Sequence, residues 1–221
     1  MSRERVIEVA LELLEAEGVA GLSMRKIGRR LGVEAMSLYH HVPDKAAIVD
    51  GIVAAIYAEI PADDLPVDAP WTEQLAVGMS RFRAVLLRHP AAVPLVVTRS
   101  VTGVAGMRLL DALLQLLRRA GFDSQTAISV INCAAAFTSG HCLAWSERST
   151  PEFPRPGPEQ TLHQVAALPA AQYPGVWWAL GPCLDGSAPT DGVGLASEAE
   201  FELGLRALLD GLNRSLRPAA L

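Results

Sequence analysis

Residues 22–45, LSMRKIGRRLGVEAMSLYHHVPDK, contain five basic side chains and two histidines against two acidic side chains. The 221-residue chain as a whole has a formal net charge of −5, so this segment concentrates positive charge in an acidic protein. Lysine and arginine bind phosphate, and a nucleic-acid-binding protein needs a basic face only where the phosphates lie. The segment therefore predicts contact with the sugar–phosphate backbone of a nucleic acid.

Two short helices and the turn between them must position these side chains. Ser23 is predicted to cap the first helix, and Gly32 is predicted to end it, because glycine tolerates the left-handed backbone of such a turn. The second helix is predicted over residues 34–41, with Pro43 closing it. Gly28 leaves room for the two helices to cross closely. This pattern is typical of a helix-turn-helix.

Apolar residues of the pair are expected to form a small core, which leaves the other side chains to contact DNA. Apolar surface suits thymine methyl groups, whereas hydroxyl, imidazole and basic groups suit base edges and phosphates. Arg25 can take a phosphate or reach guanine. The predicted DNA contacts are Ser23, Arg25, Lys26, Ala35, Met36, Ser37, Tyr39, His40, His41 and Lys45. The alternative is a solvated helical pair whose basic residues are only structural.

The stretch RVIEVALELLEAEGVAGLSMRKIGRRLGVEAMSLYHHVPDKAAIVDGI, residues 5–52, resembles the DNA-binding domain of TetR-type transcriptional repressors over nearly all of its length. The resemblance joins an apolar first helix, the glycine-turned pair, the LYHHVPDK ending and the next helix at unbroken spacing. It implies that residues 34–41 are the recognition helix. Arg25 and Lys45 would be the flanking contacts.

The rest of the chain, from Trp71 onward, resembles the ligand-binding half of the tetracycline-repressor subgroup in the segments FRAVLLRHP, GF and AFTSG. The resemblance implies an all-α homodimer in which helices 124–147 and 197–216 of both subunits form a four-helix interface. The expected function is a regulator, most simply a repressor, that a small-molecule effector releases from a palindromic DNA operator. The alternative is a small-molecule-binding helical protein or an enzyme.

Helical periodicity along the chain agrees with an all-α fold, and strand-like alternation is nearly absent. We expect a three-helix N-terminal helix-turn-helix domain, residues 1–45, which we call the reading head. A connecting helix, residues 46–62, leads to a larger helical domain for ligand binding and dimerisation, residues 63–221, which we call the effector domain. A proline-rich loop is predicted over residues 148–158, and residues 173–194 are predicted to be mostly loop anchored by Trp177 and Trp178.

The effector is expected to be neutral or apolar. Tetracycline repressors carry a metal-binding histidine shortly after the equivalent of RHP, and here that stretch reads AAVPLVVTRS, without a histidine. No metal and no cofactor are therefore predicted. The candidate ligand-binding residues are Met79, Phe82, Met107, Asn132, Thr138, His141 and Trp145. Each of them has an alternative role as plain core or interface.

Enzymatic and DNA-packaging functions are disfavoured. His141 and Cys142 are adjacent on a predicted helix and point about 100° apart, so they cannot form a base–nucleophile pair. No nucleophile-elbow, zinc-protease or phosphate-loop motif occurs, and a packaging protein would be basic throughout. Cys133, Cys142 and Cys183 form no CxxC pair and are expected to be buried. The lack of a signal peptide or an apolar run of about 18 residues predicts a cytoplasmic protein without a membrane partner.

Overall fold

The computed structural model describes residues 1–61, 65–66, 68–99, 103–146, 157–190 and 197–216. Every regular element in these ranges is a helix, as the sequence predicts. The reading head and connecting helix contain α1 Arg3–Glu17, α2 Met24–Leu31, α3 Ala35–Leu38 and α4 Lys45–Ala58. The effector domain contains α5 Trp71–Arg88, α6 Val93–Thr98, α7 Gly103–Arg119, α8 Ser124–Ser146, α9 Pro158–Ala166, α10 Pro174–Leu184 and α11 Glu198–Ser215.

Side-chain caps fix where the helices start. Ser23 Oγ accepts a hydrogen bond from the Lys26 N–H at 3.2 Å, and Asp44 Oδ1 accepts from the Ala47 N–H at 2.7 Å. Ser197 forms a capping box at the start of α11. These bonds satisfy N–H groups that have no partner within the helix, so the chain enters each helix at a defined residue.

The structure corrects three predictions about extent. The connecting helix, predicted over residues 46–62, begins at Lys45 and ends at Ala58. The recognition helix ends at Leu38 rather than His41, because the N–H groups of His41 and Val42 both donate to the Leu38 carbonyl, each at 2.9 Å, in a tight turn before Pro43. The Pro43 ring disfavours a helical conformation at Val42. The turn keeps residues 39–41 beside the helix although they are not part of it.

The segment 173–194, predicted as loop, is helical over Pro174–Leu184. Pro174 occupies the first turn, where its missing N–H costs nothing. The two tryptophans also differ, because Trp177 Nε1 donates to the Leu168 carbonyl at 2.9 Å whereas Trp178 is 83% exposed. Most of the predicted proline-rich loop, residues 148–156, lies outside the described residues.

One apolar core joins α1 and α4 to the central helices of the effector domain. Tyr57 of α4 stacks on Phe82 of α5 with ring centroids 6.0 Å apart, which links the connecting helix to the effector domain. Helix α8 is long and apolar enough to cross a membrane by composition, and it packs against α5, α7 and α11. Among the cysteines, Cys142 is buried as predicted, whereas Cys133 is exposed.

Candidate nucleic-acid interface

The turn between α2 and α3 sets the angle of the recognition helix. Gly32 has φ of 70°, and the Val33 N–H donates to the Gly28 carbonyl at 2.9 Å. A Cβ atom on Gly28 would lie 2.9 Å from the Val33 carbonyl oxygen and 3.2 Å from the Ala35 nitrogen. The two helices therefore cross so closely at Gly28 that only glycine fits without movement of the backbone.

Helix α3 is anchored by one face and exposed on the other. Leu38 is fully buried in the core together with Ile27. On the outer side Met36 is 71% exposed and Tyr39 is 46% exposed. His40 is also exposed, and the remaining predicted contacts of this segment, Ala35, Ser37 and His41, are partly exposed. The short helix thus presents a mixed apolar and hydrogen-bonding surface to solvent.

The predicted contact residues that flank α3 differ in how freely their side chains could bind DNA. Arg25 on α2 and Lys45 at the start of α4 are exposed. The Lys26 ammonium lies 2.5 Å from Glu17 Oε2 and 3.3 Å from the Ala20 carbonyl, so a phosphate would have to compete with α1 for it. Ser23 already serves as the α2 cap. Contact of each residue with DNA remains a prediction.

The predicted effector-binding residues occupy different environments. Met79, Phe82 and Thr138 are buried, and the Thr138 hydroxyl donates to the Ala134 carbonyl at 2.9 Å. Met107 is 49% exposed, Trp145 is 37% exposed and Asn132 is exposed. A groove of about 920 Å³ runs between α5 and α11, and none of these residues lines it. Their role in ligand binding remains a prediction.

His141 joins α8 to α11. Its Nε2 atom lies 3.0 Å from the Ser197 carbonyl, and its ring meets Phe201 edge-on with centroids 5.1 Å apart. The neighbouring Cys142 is fully buried, and burial raises the pKa of its thiol to about 11, despite the opposing charge of Arg83. The thiol is therefore neutral at physiological pH, which removes it as a nucleophile.

Sequence analysis missed a buried arginine next to this contact. The Arg83 side chain is 7% exposed, its Nη1 atom lies 3.2 Å from Glu198 Oε1, and its Cζ atom lies 4.9 Å from the Phe201 ring centroid. The partners are more than a hundred residues apart in the chain, and no local pattern marks them. Within the described ranges, no group of three His, Cys, Asp or Glu side chains is arranged to hold a metal ion.

Comparisons with known proteins agree with this architecture. The family model described as "Bacterial regulatory proteins, tetR family" matches residues 6–52. The model described as "Tetracyclin repressor-like, C-terminal domain" matches residues 65–216. The two matches cover the helix-turn-helix and most of the larger domain.

The chain is 31% identical over 208 residues to the tetracycline repressor protein class A from transposon 1721 of Escherichia coli, covering 94% of this chain and 88% of that protein. The crystal structure of a possible TetR family transcriptional regulator from Streptomyces coelicolor A3(2) matches with a TM-score of 0.78 and 32% identity, over 98% of this chain and 100% of that one. ActR from Streptomyces coelicolor, in complex with actinorhodin, matches with a TM-score of 0.80 and 26% identity, over 99% of each chain. The protein therefore belongs to the TetR family and is a ligand-responsive, DNA-binding transcriptional regulator rather than an enzyme.

Proposed function

We propose that the protein is a homodimeric cytoplasmic repressor whose reading heads, residues 1–45, bind the two halves of a palindromic operator. The observation that carries this proposal is the exposure of Met36 on α3 and of Tyr39 directly after it, while Leu38 anchors the helix from behind. In a helix-turn-helix dimer the two recognition helices enter successive major grooves about 34 Å apart. Arg25 and Lys45, both exposed, flank that helix and suit phosphate contacts.

Exposed apolar surface on α8 and α11 supports dimerisation through residues 63–221. Ile128 of α8 is 49% exposed and Leu203 of α11 is 72% exposed in the single chain. The two helices pack closely, since a Cβ atom on Gly204 would lie 2.5 Å from Phe137 Cζ. Burying exposed apolar side chains against a second copy would stabilise a four-helix interface.

The effector that we propose is a small, mainly apolar molecule. Met79 and Phe82 give α5 a buried apolar face, and residues 93–97 of α6 are valine, proline and leucine. Such surface favours an apolar ligand with few polar groups. Melting temperatures measured with apolar aromatic compounds, and with magnesium–tetracycline as the comparison, test the proposal. A rise only with magnesium–tetracycline would contradict it.

DNA binding is tested by fluorescence anisotropy on duplexes from the region flanking the protein's own gene, with a scrambled duplex for comparison. Removal of the Lys45 charge by Lys45→Ala should weaken binding and reduce the slope of log affinity against log salt by about one. Tyr39→Ala should weaken binding while leaving the melting temperature near wild type, because its side chain is half exposed.

Arg118→Ala is the matched control, because it removes one exposed positive charge from α7 instead of from the reading head. It should leave both the affinity and the salt slope unchanged. Full affinity in both Tyr39→Ala and Lys45→Ala would refute the placement of the DNA-binding surface. Equal weak binding to the flanking and scrambled duplexes would refute an operator in that region.

A further inference from the structure

Four ionisable side chains meet where the reading head touches the effector domain, and we call them the junction cluster: Glu15, Glu59, Arg88 and His89. Glu15 lies near the end of α1, Glu59 directly follows α4, and Arg88 and His89 end α5. His89 Nε2 lies 2.9 Å from Glu59 Oε1, and His89 Nδ1 lies 3.7 Å from Glu15 Oε1. Arg88 Nη2 donates to Glu59 Oε2 at 2.8 Å. One imidazole ring thus lies between a carboxylate of α1 and a carboxylate directly beyond α4.

The carboxylates of Glu15 and Glu59 differ in their hydrogen bonding. Glu15 Oε1 is buried and has no hydrogen-bond partner among the described residues, while Glu15 Oε2 accepts from the Ala91 N–H at 3.4 Å. The His89 side chain is only 16% exposed, so water does not readily replace it. A neutral imidazole has one N–H group, whereas an imidazolium has two. Only the protonated ring can donate to Glu15 and Glu59 at the same time.

We propose that His89 is a proton-controlled positioning residue, whose imidazolium bridges Glu15 of α1 and Glu59 beyond α4 and thereby holds the reading head against the effector domain. Deprotonation leaves one N–H group, which stays with Glu59, and it removes the charged contact to Glu15, whose remaining partner is the Ala91 N–H. The head then samples a wider range of positions. This inference goes beyond the proposed effector response, because the signal is pH and the site is outside the predicted ligand-binding residues.

The pKa values of the two carboxylates are shifted in opposite directions. Burial acts to raise the pKa of Glu59, but Arg88 and His89 outweigh it and lower the pKa, so Glu59 is a permanent anion at neutral pH. Burial raises the pKa of Glu15, against the opposing effects of the Ala91 amide and His89. Histidine side chains change charge between about pH 5 and 8. The bridge therefore exists only while the imidazole ring carries both of its N–H protons.

Several other charged groups on the surrounding helices form ion pairs away from His89. The pairs are Arg5–Glu8, Glu12–Arg30, Glu17–Lys26, Asp50–Arg99 and Arg83–Glu198. Helix α6 has no ionisable side chain, and α8 contributes Cys133, His141 and Cys142. None of those three forms a hydrogen bond or ion pair with His89 in the described part of the chain. Protonation at this junction therefore acts on Glu15 and Glu59.

The position of the head is measured directly by pulsed electron paramagnetic resonance. Spin labels are placed at Arg29→Cys on α2 and at Arg119→Cys on α7, two exposed positions. The substitutions Cys133→Ser and Cys183→Ser first remove the accessible native thiols, and the buried Cys142 stays unlabelled. Excess unlabelled protein ensures that a dimer with a label carries only one labelled chain. The wild-type cluster should give one narrow distance distribution at about pH 6 and a broader, shifted one at about pH 8.

His89→Gln keeps a side chain that donates to Glu59 but cannot become charged, so it should give the broad distribution at both pH values. Glu15→Gln should do the same, and it guards against a folding defect specific to position 89. His163→Gln on α9 is the matched control, since its side chain is exposed in the effector domain, and it should retain the wild-type shift.

Identical wild-type distributions at the two pH values would overturn the proposal, as would a full pH shift in His89→Gln or in Glu15→Gln. The measurement uses no DNA, so its failure is distinct from a failure of the proposed repressor function. Where an operator duplex is identified, the affinity of the wild type for it should change more with pH than the affinity of His89→Gln, because both proteins keep His40 and His41.

Discussion

Gly28→Ala perturbs the angle between α2 and α3 without removing any side chain that faces DNA. The added Cβ atom would lie 2.9 Å from the Val33 carbonyl oxygen, about half an ångström short of an ordinary contact. Its other near neighbours, at Ala35, are also backbone atoms and cannot rotate away. Relief therefore requires a displacement of the start of α3 relative to α2.

Two opposing effects set the size of the change. Alanine favours a helix over glycine by about 1 kcal/mol, whereas overpacking in a core costs about 1–3 kcal/mol. We expect a net destabilisation of up to about 2 kcal/mol, which lowers the melting temperature of a chain of this size by up to about 8 °C. Because base contacts contribute about 1–3 kcal/mol each, a displaced α3 should also lose at least about tenfold in operator affinity.

Thermal unfolding followed by circular dichroism and anisotropy on the operator duplex measure the two effects separately. Gly32→Asn is the control, because Gly32 has φ of 70° with open space around its Cβ position, and asparagine tolerates that backbone conformation. It should retain the affinity and most of the stability. If Gly28→Ala melted at or above the wild-type temperature and bound the operator with full affinity, the close crossing would not control the position of α3.

Two further predictions concern ionisable groups in the core and at the junction. The Cys142 thiol has a pKa near 11, so at about pH 8 it should react with a disulfide reagent at least about 100-fold more slowly than Cys183 in the native protein. Similar reaction rates for the two thiols would contradict the burial of Cys142. Glu59→Gln should destabilise the protein at neutral pH, because the lowered pKa of Glu59 shows that the folded state favours its ionised form. That contribution to stability is present above about pH 5 and is lost as the pH falls through the pKa of Glu59 in the folded protein. A stability difference between wild type and Glu59→Gln that stayed constant down to about pH 3 would refute the ion-pair explanation.

The features that the sequence predicts correctly are local ones, such as helix caps and glycine turns. Ser23 caps α2, and Gly32 takes the left-handed turn. These features depend on neighbours within three residues. The chemistry of the residue itself therefore decides them.

Prediction failed where the outcome depends on longer-range context. The sequence of α10 predicts a loop, because proline and glycine disfavour a helix. In the structure Pro174 lies in the first turn of the helix and Pro182 lies inside it. The Glu15–His89 and Arg83–Glu198 contacts join residues that are 74 and 115 positions apart, respectively. No periodicity or motif relates such partners, because only the packing of whole helices brings them together.

Helix α4 contacts the effector domain at several positions along its length. Its Tyr57 stacks on Phe82 of α5, its Asp50 pairs with Arg99 beyond α6 at 2.9 Å, and its Ala54 Cβ would lie 3.2 Å from a Cβ on Gly103. A ligand that displaces α5, α6 or α7 therefore moves α4, and Lys45 at its start moves with it. Such a ligand lowers operator affinity only if it binds the displaced arrangement more tightly than the DNA-bound one. A differential of about 1–3 kcal/mol, typical of coupled sites, reduces operator affinity by about 5–150-fold.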